Sequence, residues 1–267
     1  MPIEIQTRIV LLDQEAFHAL DRRLMGIVFD VHNQFGRFLD EELYKREIAA
    51  RWVESGFGTA EREVRISVTH ETFRKEYRLD LLFNNGVMME VKTADAIVPA
   101  NRMQGLNYLF LSGMNHGRLV NLRPERVEHE FLSTKLTHDL RRQIKVVEIG
   151  WRAVNPESNW IRNKVVELID DWGAFLEAGL YREALTHFLG GPERVITKVP
   201  VHSGSRLVGE QPVHLLTGDT AFAITAVTGN RAAMQEHQVR FLKHTPLRFI
   251  QWINLNHHEI EFTTLAK

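Results

Sequence analysis

The amino-acid sequence predicts an α/β fold, with strands and helices grouped in α+β fashion, built twice in tandem. Three observations carry this expectation. The chain has 267 residues, enough for two domains of ordinary size. Its apolar residues switch between helical and strand spacing in the order helix, helix, three strands, helix, strands. The second half then repeats that order with matched residues.

The first candidate element is a short strand in RIVLLD, residues 8–13. Phe17, Leu20, Leu24, Ile27, Val28 and Val31 follow at helical spacing, predicting a helix over 15–34 that Gly36 closes. A second helix is expected over 39–53, with Leu43, Ile48 and Trp52 inward, ending before the Gly56 to Gly58 turn. Strands are expected over 63–69, 73–83 and 87–91. Asn84, Asn85 and Gly86 join the last two, a strong signal for a tight hairpin. A helix after Pro99 runs over 100–111, and strands over 118–122 and 127–132 complete the unit.

An offset of 137 sets FLDEELY at residues 38–44 against FLEAGLY at 175–181, Gly36 against Gly173, and RIVLLD against KVVEIG. Four residues are lost, and an offset of 133 then sets Ile66 and Val68 against Val199 and Val201, Leu82 against Leu215, and Val91 against Ile224. The same offset brings GRLVNL beside IQWINL, and Val127, Glu128 and Leu132 beside Ile260, Glu261 and Leu265. This pattern predicts a tandem duplication, with domains at 1–138 and 139–267.

Lys plus Arg is 33 and Asp plus Glu 34, for a net charge of -1. No global basic field exists, which counts against a protein that coats nucleic acid but leaves room for a local phosphate-handling site. Cys is absent, which excludes disulfides and thiolate metal sites. No apolar run approaches the length of a membrane span, and the N-terminal segment lacks a signal-peptide pattern. A cytoplasmic protein is expected.

Three charged residues stand inside apolar strands: Asp80 in YRLDLLF, and Glu90 and Lys92 in VMMEVK. Period-two alternation puts Glu90 and Lys92 on one strand face and Val87, Met89 and Val91 on the other. The hairpin turn makes the strands neighbours and can bring Asp80 near Glu90. Two adjacent carboxylates repel and are costly to desolvate, a penalty that a divalent cation removes; their hard oxygens suit Mg²⁺ or Mn²⁺. Lys92 would then stand where an ammonium orients water or stabilises charge on a phosphate. The competing reading is a solvated strand face with a cross-strand ion pair. Glu41, at the start of the second helix, can reach the same place. Gln104 and Tyr108, four apart on one helix face, can present an amide and a phenol to Lys92 or to a phosphate.

The strings VHNQFGRFLDEELYKREIA and YRLDLLFNNGVMMEVKTAD, the Gln-x-x-x-Tyr helix and the strand ending in Asn resemble the GxxExxY family of the PD-(D/E)XK nuclease superfamily over residues 15 to about 135. The resemblance implies a restriction-endonuclease-like fold, a sheet of mixed direction flanked by helices. It also implies a site assembled from Glu41, Asp80, Glu90, Lys92, Gln104 and Tyr108, and metal-dependent hydrolysis of DNA or RNA. Arg37 and Phe38 stand where family members carry a Gly or Pro-Gly pair. Tyr44 matches the family's Tyr, but Tyr181 repeats it, which points to packing rather than chemistry.

In the second copy Ala178 faces Glu41, Val213 faces Asp80, Ala223 faces Glu90, Thr225 faces Lys92, His237 faces Gln104 and Phe241 faces Tyr108. Every proposed chemical position is lost while apolar neighbours survive. The expectation is therefore a nuclease with Glu41, Asp80 and Glu90 as metal ligands and an inactive twin as scaffold, substrate clamp or intramolecular pseudo-dimer partner. The alternative is a non-enzymatic nucleic-acid- or protein-binding module with a relic site.

Overall fold

A computed structural model describes residues 2–267. It divides into two compact units, residues 1–69 with 74–138, and residues 70–73 with 139–267. Each contains a six-stranded mixed sheet flanked by helices.

In the first unit the elements are β1 (Ile3–Ile5), α1 (Gln14–Phe35), α2 (Glu41–Glu54), β2 (Ala60–His70), β3 (Phe73–Phe83), β4 (Val87–Lys92), α3 (Pro99–Ser112), β5 (His116–Asn121) and β6 (Glu128–Ser133). The sheet runs β1-β2-β3-β4-β5-β6. β3 and β4 are antiparallel, β4 and β5 parallel across α3, and β5 and β6 antiparallel. The strand expected at 8–13 is not formed. Ile3 to Ile5 pair with Ile66 to Val68 instead. Val10 is tied to the β3–β4 turn by one backbone bond, 2.8 Å to the Asn85 carbonyl, and Val10 and Leu11 are exposed. Apolar composition without a ladder partner makes an extended tether, not a strand.

α1 forms because its apolar stripe has one place to go. Phe17, Leu24, Val28 and Val31 are buried against α2 residues Tyr44, Ile48 and Trp52 and sheet residues Leu81, Phe83, Val87, Met89 and Val91. Burying a large aliphatic or aromatic side chain is worth roughly 1.5–3 kcal/mol, so this layer outweighs any local propensity. Asp13 caps the helix by accepting from the Ala16 amide, and Gly36, at φ 72°, closes it. Leu43, expected inward, is exposed; Tyr44 holds the inward position, because α2 begins at Glu41 and its buried stripe runs through 44, 45, 48, 49 and 52. α3 approaches β6 closely enough that a Cβ on Gly105 would lie 2.3 Å from the Leu132 side chain.

The second unit contains α4 (His138–Arg142), β7 (Lys145–Glu148), α5 (Pro156–Trp172), α6 (Ala178–Phe188), α7 (Pro192–Val195), β8 (Ile196–Ser203), β9 (Arg206–Thr217), β10 (Thr220–Thr225), α8 (Arg231–Lys243), β11 (Phe249–Asn256) and β12 (Glu259–Ala266). Its sheet runs β7-β12-β11-β10-β9-β8. β9 and β10 are antiparallel, β10 and β11 parallel across α8, and β11 and β12 antiparallel, the directions of β3 to β6. The first strand of each unit differs: β1 extends the β2 edge, whereas β7 lies parallel to β12 at the opposite edge.

Three polar clamps recur at the spacings seen in the sequence. The Tyr44 hydroxyl donates to the Gly36 carbonyl at 2.6 Å, and that of Tyr181 to the Gly173 carbonyl. The Asn121 amide donates to the Ala94 carbonyl and Glu128 at 2.8 and 3.0 Å, and Asn254 does the same to Val227 and Glu261 at 2.8 and 3.0 Å. The buried Arg118–Asp21 ion pair has a neutral counterpart, Gln251 donating to Ser158 at 2.8 Å.

Candidate active site in the first unit

The ladder between β3 and β4 ends at the Leu81–Met89 pair. Beyond it Asp80 and Glu90 occupy the gap, both buried, at 8% and 1% exposure. One Asp80 oxygen, Oδ2, accepts from the Val91 amide at 2.9 Å, so the side chain replaces a missing ladder bond. Glu90 and Lys92 share a strand face as alternation requires. Lys92 Nζ donates to Glu90 Oε1 at 2.7 Å, while Glu90 Oε2 is buried with no hydrogen-bond partner.

Burial raises the Glu90 carboxyl to about 8, with the charges of Asp80 and Glu41 adding to it, although Lys92 pulls it down. Glu41, the first residue of α2, is raised by burial and then by Asp80, with Lys92 and Lys45 opposing. Burial opposes the charge on Lys92, but Glu90 and then Asp80 and Glu41 outweigh it and hold its pKa above the ordinary range. Three carboxylates and an ammonium thus act on one another in a partly dry cleft. The strand-face reading requires solvent; the burial of Asp80 and Glu90 excludes it.

The α3 residues divide. The Gln104 amide donates to the Tyr108 hydroxyl at 3.3 Å; Gln104 is exposed and Tyr108 buried. Tyr108 packs edge-on to Tyr77 with ring centroids 6.4 Å apart. The hydrogen bond of Lys92 goes to Glu90, and neither Gln104 nor Tyr108 is joined to it. Tyr44 is fully buried, its hydroxyl also accepting from the Leu39 amide at 3.3 Å. It pins the turn that delivers Glu41, which Arg37 and Phe38 therefore do not disturb.

Sequence reasoning missed Lys45. It is 7% exposed and lies 3.2 Å from Asp80 Oδ1, 2.5 Å from Glu63 Oε1, 3.5 Å from Glu42 Oε2 and 3.8 Å from Glu41 Oε1. Glu63 has a φ of 53°, an uncommon backbone for a non-glycine residue. The available signal was a lysine on the inward stripe of α2, where a solvated Glu41–Lys45 pair has no place.

The donor set fits a divalent cation. Its oxygens are hard, Glu90 offers an unpartnered buried oxygen, and the local charge is negative. In the second unit the β9–β10 ladder stops at the His214–Phe222 pair, which corresponds to Leu81–Met89. Past it lies a cleft of about 400 Å³ lined by Val213, Ala223, Thr225, His237, Phe241 and Arg182. The gap persists without its carboxylates, and Arg182 stands where Lys45 stands.

Residues 18–132 match the family model of the PD-(D/E)XK nuclease superfamily. No curated protein and no solved structure matches the chain. No helix among the described residues is long and apolar enough to cross a membrane.

Proposed function

We propose that residues 1–138 form a metal-dependent nuclease domain of the GxxExxY type, cleaving phosphodiester bonds of DNA or RNA, and that residues 139–267 are a degenerate copy arisen by tandem duplication. The observation that carries the nuclease reading is the unpartnered Glu90 oxygen in a buried cluster with Asp80, Glu41 and Lys92. The superfamily match supports it independently. Support for duplication comes from the common strand directions and the three paired clamps.

Glu41, Asp80 and Glu90 would hold Mg²⁺ or Mn²⁺, which supplies Lewis acidity toward a phosphoryl oxygen and an acidified water. Lys92 opposes the burial that raises the Glu90 pKa, and so favours the ionised carboxylate a cation needs, and it orients water toward the phosphate. Tyr108 and Gln104 form a polar pair on α3 whose role is to meet the substrate backbone. The degenerate copy acts as scaffold or substrate clamp.

Lys92→Ala should abolish Mg²⁺-dependent cleavage of single- or double-stranded DNA or RNA, a loss of at least a hundredfold, with an unchanged circular dichroism spectrum. Cleavage at the wild-type rate would sink the mechanism. A second reading, a binding module with a relic site, is favoured by the near-neutral charge. Metal-independent nucleic-acid binding without cleavage by the wild-type chain would select it.

A further inference from the structure

Each carboxylate at the centre of the cluster has one oxygen committed to a lysine. Glu90 Oε1 takes Lys92 and leaves Oε2 open. Asp80 Oδ1 takes Lys45, and Oδ2, which accepts from the Val91 amide, keeps a second lone pair. The open oxygens therefore lie on the Glu90 side. On the other side the ammonium of Lys45 is surrounded by Asp80, Glu63, Glu42 and Glu41, all within 3.8 Å, an environment of hard oxygens that otherwise suits a divalent ion.

Two-metal phosphodiester chemistry needs ions about 3.5–4 Å apart, and a carboxylate that bridges them through both oxygens gives one to each. Asp80 is the group between, and Lys45 occupies the oxygen that a second ion would need. Charge leads to the same count. Glu41, Glu42, Glu63, Asp80 and Glu90 face Lys45, Lys92, Arg46 and Arg62, five carboxylates against four cations, a surplus too small to favour two divalent ions.

We propose that Lys45 is a built-in cation occupying the position of a second metal, so that the site takes one divalent ion rather than two. This rests on the metal-site reading above. The lysine is a positioning residue: it fixes Asp80 Oδ1 and leaves the Glu90 side as the place for the ion.

The test is Mn²⁺ stoichiometry on the full chain after chelation, measured by calorimetry and electron paramagnetic resonance, scoring only ions that Asp80→Ala removes. The expected counts are one for the wild type, one for Lys45→Arg and two for Lys45→Met, with spin coupling between the two ions. Lys45→Gln repeats the measurement with a polar side chain. If either uncharged variant is unfolded without metal, refolding followed by circular dichroism should saturate at two equivalents. One ion in Lys45→Met, or two in the wild type, overturns the role of Lys45 and leaves the metal site standing. No Asp80-dependent ion in any of these proteins overturns the metal site, and the inference with it.

Discussion

Burial beside Asp80 raises the Glu90 carboxyl from its ordinary 4.5 to about 8, so the metal-free folded chain retains a proton there that the unfolded chain releases. A raised folded-state pKa contributes stability that is fully present below about 4.5 and lost as the pH rises toward 8. The thermal midpoint of the chelated protein should therefore fall between pH 5 and 8, by several degrees. Glu90→Gln should flatten that part of the profile, and Mg²⁺ should restore the wild-type midpoint at pH 8. A flat wild-type profile in chelator would contradict the burial argument. Glu90 and Lys92 were legible from alternation and Asp80 from the hairpin turn that sets its strand beside theirs, because a charge inside an apolar strand must face something. Lys45 was not: its four-residue spacing from Glu41 is what a solvated helix pair also shows, and the packing of α2 buries the lysine while Glu41 stays partly exposed.

The turn between α1 and α2 depends on a phenol. Tyr44 reaches back to the Gly36 carbonyl at 2.6 Å and receives the Leu39 amide at 3.3 Å. Removing a buried hydroxyl from such partners costs about 1–3 kcal/mol. Tyr44→Phe should lose that much stability in denaturant unfolding and also lower cleavage several-fold, since Glu41 follows the turn. Tyr181→Phe should show a comparable stability loss and leave cleavage unchanged. Equal effects of both on cleavage would mean that the turn does not position Glu41. The helices and the β3–β4 hairpin were readable because stripe, cap and turn residues agree: Asn84 and Asn85 adopt φ 47° and 58°, the left-handed backbone that such turns demand. The N-terminal strand was misplaced because RIVLLD is the more apolar segment, whereas pairing with Ile66 to Val68 selects Ile3 to Ile5. Propensity cannot say which of two short segments finds an open sheet edge.

With a net charge of -1, the chain has no strong net field to gather a polyanion, so on the nuclease reading short contacts around the Asp80–Glu90 gap would hold the substrate. The repeat could be read across a four-residue step because packing constrains the same apolar positions in both units. The opposite placement of β1 and β7 could not, since edge strands lie outside the matched core. Both sheets stop their central hairpin ladder at corresponding pairs, Leu81–Met89 and His214–Phe222. That shared fork makes the second unit a chassis into which the chemistry can be built. Val213→Asp, Ala223→Glu and Thr225→Lys together, with Arg182 already beside them, should create an Mn²⁺ site whose occupancy Asp80→Ala does not affect. A folded triple variant without that ion would show that the fork alone does not set ligand geometry. Success would mean that the two units share one backbone mould and differ in chemistry through the side chains set into it.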